Sequence, residues 1–201
     1  PTKERADLAE VYGVSGDETA ILYNYERQEP TGIYENGQTY LPVSWINDHI
    51  NERFYWDSTE NLLVYALPDQ IVYADAETKG SNGAPLLVVK DDEVYLTLGL
   101  IANYTDVQIQ TFDSGDGKRV LINDWGTRNT ARVKKAGSLR VKGGVKSKVL
   151  TDLAKDDTVT VLDTMEKWSR FASSDGNIGY VENKRLAAAE SRKFSGNFKA
   201  P

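Results

Sequence analysis

The chain carries one histidine, His49, one methionine, Met165, and no cysteine. Copper and other soft-metal sites draw on imidazole or sulfur ligands, so two such residues in separate regions leave no ligand set for them. His49 is therefore read as a surface or packing residue. The densest acidic group, Asp91-Asp92-Glu93, could supply the paired carboxylates of glycoside hydrolysis. It falls in an expected hairpin turn, where charge usually serves solvation. Asp113, Asp116 and Asp124 lack the full alternation of a calcium loop. Gly80-Ser81-Asn82-Gly83 lacks the lysine and the following helix of a phosphate loop, and no nucleophile elbow or dinucleotide fingerprint occurs. No catalytic residue, metal site or cofactor is expected.

Two residue classes remain that could hold a ligand. Aromatic rings offer flat faces on which sugars stack, and Trp45, Tyr55, Trp56 and Tyr65 gather in one stretch. Strand alternation turns Tyr55 away from Phe54 and Trp56, which makes Tyr55 the candidate contact and Trp56 a core residue. Clustered cations are the other class. Lys134, Lys135, Arg140, Lys142, Lys146 and Lys148 crowd one short region, and such a field draws nucleic acid or any other polyanion.

The elements that would carry these residues divide into two halves. Residues 1–126 hold 22 Asp and Glu against 8 Lys and Arg, a balance of −14; residues 127–201 hold 8 against 16, a balance of +8. Such asymmetry suggests two domains facing different partners. A content of 40% apolar and 27% charged residues fits a soluble globular chain, and no apolar run approaches the ~20 residues of a membrane span. The chain begins without methionine or a signal pattern and ends on Phe198-Lys199-Ala200-Pro201, so it reads as a piece of a longer protein.

In the acidic half, Asn36–Leu67 returns in altered form as Asp91–Ile122. A shift of 55 residues lays Tyr40 on Tyr95, Leu41 on Leu96, Ile46 on Ile101 and Phe54 on Ile109; past a turn one residue longer, Val64 falls on Val120. Each copy reads strand, hairpin, short helix, hairpin. Asn36-Gly37 is a strong hairpin signal, Pro42 opens a helix, and Asp91-Asp92 takes the place of Asn36-Gly37. Copies of about 18–69 and 70–124 would share a core that neither has alone. Glu18–Tyr25 is expected as a strand, broken by Gln28-Glu29-Pro30-Thr31-Gly32. A boundary is placed at Asp124–Thr130, followed by short strands at the spacing of a small barrel. The fold class is mainly β with short helices (α+β).

Residues 127–187 resemble the bacterial SH3-like domain. The resemblance lies in Leu139-Arg140-Val141-Lys142-Gly143-Gly144, in Trp168 with Phe171, and in Gly176-Asn177-Ile178-Gly179-Tyr180-Val181 before Arg185-Leu186. It implies a small β-barrel with Trp168 and Tyr180 along a shallow groove, with Arg140 and Lys142 as cationic contacts. Residues 1–126 resemble the copper amine oxidase-like N-terminal domain of bacterial envelope proteins, through Gly37, Tyr40-Leu41-Pro42-Val43 and Trp56-Asp57. The order of the two modules is similar to the region before the catalytic barrel of secreted family 18-type glycoside hydrolases of Gram-positive bacteria. That resemblance implies a non-catalytic region, extracellular and associated with the cell envelope, with residues 188–201 as a linker toward a downstream catalytic barrel. Its partner would be peptidoglycan or a related cell-wall glycan, not nucleic acid. The alternative is a structural spacer with no ligand of its own.

Overall fold

The computed structural model describes residues 1–196; the terminal Phe198–Pro201 stretch expected as linker lies outside them. Helix α1 (Leu8–Tyr12) starts where the Asp7 carboxylate accepts the Ala9 amide and stops at Gly13, whose φ of 66° is left-handed. The acidic unit follows as β1 (Glu18–Tyr23), β2 (Glu26–Glu35), β3 (Gln38–Pro42), α2 (Val43–His49), β4 (Phe54–Asp57), β5 (Leu62–Ala66), β6 (Ile71–Ala74), β7 (Leu87–Lys90), β8 (Glu93–Thr97), α3 (Leu98–Tyr104), β9 (Gln108–Phe112) and β10 (Arg119–Asn123). A seven-stranded sheet runs β7-β8-β3-β2-β1-β10-β9, and β4-β5-β6 form a second, smaller sheet. Helices α2 and α3 and the small sheet close over one face of the large one around Ile21, Leu41, Ile46, Phe54, Leu63, Leu96, Ile101 and Ile122.

Strand β3 and helix α2 recur 55 residues later as β8 and α3, and β3 pairs directly with β8. Both connecting turns take left-handed backbone, at Asn36 and Gly37 and at Asp91 and Asp92, as tight hairpins require. The hairpins that follow align differently from expectation. In β4–β5 the buried residues that face the acidic core are Phe54, Leu63 and Tyr65, and in β9–β10 they are Val120 and Ile122. Phe54 pairs with Tyr65 and Ile109 with Ile122, so Leu63, not Val64, matches Val120. The second turn is two residues longer, because an odd slip would turn each inward side chain outward.

Strand β2 runs straight through the expected break at Gln28–Gly32. The register jumps between Ala20 and Leu22, which bulges β2 around Pro30; a bulge tolerates a residue without an N–H. Gly32 is required there, since a Cβ would lie 2.7 Å from the Tyr40 carbonyl oxygen.

The basic unit comprises β11 (Gly126–Arg132), β12 (Gly137–Arg140), β13 (Val149–Leu153), β14 (Thr158–Asp163), β15 (Trp168–Ala172), β16 (Ile178–Glu182), a 3-10 turn (Asn183–Arg185) and β17 (Glu190–Phe194). They form one sheet in the order β13-β12-β16-β15-β14-β11-β17 around Val133, Leu139, Val159, Phe171 and Val181. The sheet does not close into the expected barrel: β13 and β17 remain its edges. Strand β17 lies in the stretch expected as linker and pairs with β11 over its whole length. The β13 edge is covered by the chain's first residues. The Ala6 amide donates to the Val149 carbonyl (2.9 Å), the Val149 amide to Glu4 (2.8 Å), and Arg5 pairs with Asp152. The first six residues, counted with the acidic half, thus belong physically to the basic unit.

The two units are docked. Strands β1 and β10 are buried on both faces: Ile21, Val120 and Ile122 face the acidic core, whereas Ala20, Leu22 and Leu121 pack with Tyr12, Val14, Phe112 and Ile178. Arg119, 5% exposed, crosses from β10 into the turn between β15 and β16. Its Nε donates to the Gly176 carbonyl (2.6 Å), Nη2 to Asp175 (2.8 Å) and Nη1 to Gly117 (2.9 Å). The guanidinium lies over the rings of Tyr12 and Phe112. The Tyr12 hydroxyl donates to Asn177 Oδ1 (2.8 Å) and accepts the Ile178 amide (3.2 Å). Burial pushes the Tyr12 phenol above, and the Arg119 guanidinium below, their ordinary pKa values.

Candidate binding groove of the basic unit

Pairing of β15 with β16 sets Trp168 opposite Glu182 and Arg170 opposite Tyr180, while Ser169, Phe171 and Val181 turn inward. The first four side chains therefore share the outer face. Arg140 on β12 stands opposite Tyr180 and extends that face by one strand. A groove of about 300 Å³ opens beside it, lined among others by Ser138, Arg140, Val145, Trp168, Glu182, Lys184 and Arg185. Gly143 lets the loop after β12 pass under Trp168, since a Cβ there would come within 3.0 Å of the tryptophan Cβ.

Among the residues expected to bind, Trp168 lines this groove and is half-buried. Arg140 reaches it only as wall. It is 6% exposed, and its Nη1 donates to the carbonyls of Thr2 (2.9 Å) and Ser147 (2.8 Å). The expectation of a free cation at Arg140 is corrected: the guanidinium satisfies backbone acceptors and pins the first residues to the loop after β12. Lys142 is exposed on that loop, outside the groove lining, and Tyr180 is half-buried on the neighbouring row. Tyr55 is 65% exposed in the other unit, in a cross-strand row with Val64 and Tyr73, so it is not brought to the same site. Trp56 packs partly buried against the acidic core. His49 stacks on Trp45 at 5.0 Å, a packing role.

Sequence reasoning missed Glu182, Lys184 and Arg185. Glu182 is 8% exposed, and Lys184 Nζ lies 3.4 Å from its carboxylate. Counting outward from the Ser174–Asn177 turn would have set Glu182 across from Trp168. The groove thus joins an aromatic wall, a buried carboxylate paired with the exposed Lys184, and Arg185, whose Nη1 already donates to the Ala136 carbonyl (2.6 Å); such a mix of charges fits a short dipolar ligand. Lys134, Lys135, Lys142 and Lys146 are exposed, and Lys148, also exposed, lies 3.7 Å from the Glu4 carboxylate. A larger concavity of about 580 Å³ near Asp17, Glu18 and Glu35 is acidic, but Glu18 already accepts from the amide and hydroxyl of Ser15. No acidic or histidine cluster among the described residues could hold a metal ion.

Residues 135–187 match the family model of the bacterial SH3 domain. The basic unit contains a bacterial SH3 domain. The match takes in Trp168, Glu182, Lys184 and Arg185, whereas β11, β17 and the covering N-terminal segment lie beyond it. It lends no support to the copper amine oxidase-like resemblance or to a glycoside hydrolase parent. No curated protein and no solved structure matches the chain. No helix among the described residues of the SH3 domain or the acidic unit is long and apolar enough to cross a membrane.

Proposed function

We propose that this chain is a non-catalytic wall-binding region whose SH3 domain grips peptidoglycan through its short peptides. The groove that sets Trp168 against Glu182, Lys184 and Arg185 carries this reading. Such peptides present free ammonium and carboxylate groups, which Glu182 and the two cations would receive. The domain match supports it, since bacterial SH3 domains commonly bind cell-wall peptidoglycan. The exposed lysines would add attraction to anionic wall polymers. An extracellular, envelope-associated setting, residues 1–126 as a copper amine oxidase-like domain of two repeats (about 18–69 and 70–124), and a family 18-type hydrolase parent belong to the same proposal; they rest on motif resemblance alone.

The test is sedimentation with purified peptidoglycan at about 1 M salt, where the screening length falls to about 3 Å. Retention is expected, with a roughly tenfold or greater loss in Trp168→Ala. Retention that vanishes alike for every polyanion at that salt would refute a specific grip. A second reading, favoured by the buried Arg119 contact, is a rigid spacer without a ligand. Absence of retention together with a single cooperative unfolding transition would select it.

A further inference from the structure

The small sheet β4-β5-β6 buries one face against the acidic core and leaves the other without cover. Its register sets Tyr55, Val64 and Tyr73 in one row across the three strands, with Ala66 opposite Ile71 in the next. Tyr55 is 65% exposed, and Tyr73 and Ile71 are each 59% exposed; no other large apolar side chain among the described residues is more open. Both tyrosine rings therefore keep a free face. Asp57 is the sole charge on the outward side of these strands, and its Oδ1 already accepts the Thr59 and Glu60 amides (3.0 and 3.2 Å). Strands β4 and β6 are both edges, where an outward lysine commonly guards against wrong pairing, and neither carries one. Threonine would hold a solvated strand as well as tyrosine does. The fold alone does not account for this aromatic face, and such patches mark interaction sites.

Size and charge narrow the occupant. Stable protein contacts cover about 800 Å² per partner, roughly 20–30 residues. The uncharged face here has only Tyr55, Leu62, Val64, Ala66, Ile71 and Tyr73, an area that a few sugar rings would cover. Residues 51–79 hold 6 Asp and Glu against 2 Lys and Arg, so a second copy of this face and any polyanion are repelled. Spacing then selects the kind of sugar chain. Tyr55 and Tyr73 stand two strands apart, about 9.6 Å at the usual strand separation. In a β-1,4-linked chain successive rings are flipped, so every second ring presents the same face one disaccharide length further on. That length is close to the separation of the two tyrosines. We propose that the outward face of β4-β5-β6 binds an uncharged β-1,4-linked glycan chain, alternate rings stacking on Tyr55 and Tyr73 and the ring between them lying over Val64. The site belongs to the acidic unit, apart from the SH3 groove, and does not depend on peptide binding there.

The experiment is an amide-resolved NMR titration of the whole chain with N-acetylchitohexaose, and with the β-1,3-linked laminarihexaose as the uncharged contrast. The β-1,4 chain is expected to shift the amides of Tyr55, Val64 and Tyr73. The β-1,3 chain, which curves and does not set alternate rings in one line, should leave them still. Tyr55→Ala and Tyr73→Ala should each weaken binding roughly tenfold, and Trp168→Ala should leave these shifts unchanged. Thermal melts of the tyrosine variants establish that they fold. Silence of those amides toward the β-1,4 chain, an equal response to the β-1,3 chain, or unaltered binding when both tyrosines are replaced in a folded variant would overturn the proposal. So would a dimer in sedimentation velocity that the double replacement abolishes, because a second copy would then cover the face. Loss of peptidoglycan retention in Trp168→Ala with these shifts intact separates the two sites.

Discussion

The hairpins β4–β5 and β9–β10 occupy matching places behind a strand and a short helix, yet they meet different surroundings. Each turns one face to the acidic core, through Leu63 and Tyr65 or through Val120 and Ile122. The opposite face of β5 carries Val64, with Tyr55 and Tyr73 beside it in solvent. The opposite face of β10 carries Arg119 and Leu121, both buried at the SH3 domain. An apolar face is thus insufficient for docking in one fixed pose. Arg119 adds direction, because its rigid fork of donors matches carbonyls that the turn at Asp175–Gly176 leaves unpaired.

The sharpest way to break this comparison is to remove the fork. Arg119→Ala is expected to cost on the order of 3 kcal/mol, from lost charge-assisted bonds and orphaned carbonyls. Its counterpart Leu62→Ala, partly exposed on the other hairpin, should cost under about 1 kcal/mol. Urea unfolding reads both, and equal costs would remove the distinction between the hairpins. Gly176→Ala comes next, at about 2 kcal/mol. Its φ is 76°, and a Cβ would press to 2.4 Å from the Phe112 ring. The mutant should also separate the unfolding of the two units, visible as a second calorimetric transition.

Acid sharpens the comparison from the side of the turn. Partial burial opposes ionisation of Asp175, but hydrogen bonds from Ser173, Thr151 and Asn177 and the charge of Arg119 together outweigh it and hold its carboxyl below the ordinary range. A lowered folded pKa means stability that is present above the unfolded value of about 3.9 and lost as pH falls through the folded one. The wild type should therefore exceed Asp175→Asn in Tm at neutral pH, with the gap closing below about pH 4. A gap independent of pH would show that the turn does not depend on this charge. The smallest effect is expected at Tyr55→Ala, within about 0.5 kcal/mol by urea unfolding; a larger loss would mean that the free face of the small sheet is not free.

Much of this was legible locally. Asn36-Gly37 and Asp91-Asp92 marked tight turns, Pro42 marked a helix start, and alternation in Glu18–Tyr23 marked a strand. The exposed Tyr55 and the partly buried Trp56 followed from the same alternation. Strand β2 was hidden because Pro30 breaks a regular ladder but not a bulged one. Strand β17 was hidden because its partner β11 lies some sixty residues earlier, as in Thr130 with Glu190. Only Trp168 among the expected contacts became an available groove residue, since type and spacing reveal an aromatic but not what an arginine already holds.

Composition set the charge divide and motif resemblance pointed to the SH3 domain, while spacing by itself determined the turns, the short helices and the common face of alternate strand residues. Those properties follow from backbone geometry over a few neighbouring residues. Tertiary structure alone decided which of a strand's two faces is covered, and by what. Arg140 is held by Thr2, 138 residues before it, and Arg119 by a turn 57 residues after it. Their donors were plain in the sequence; their acceptors became neighbours only when the sheets packed.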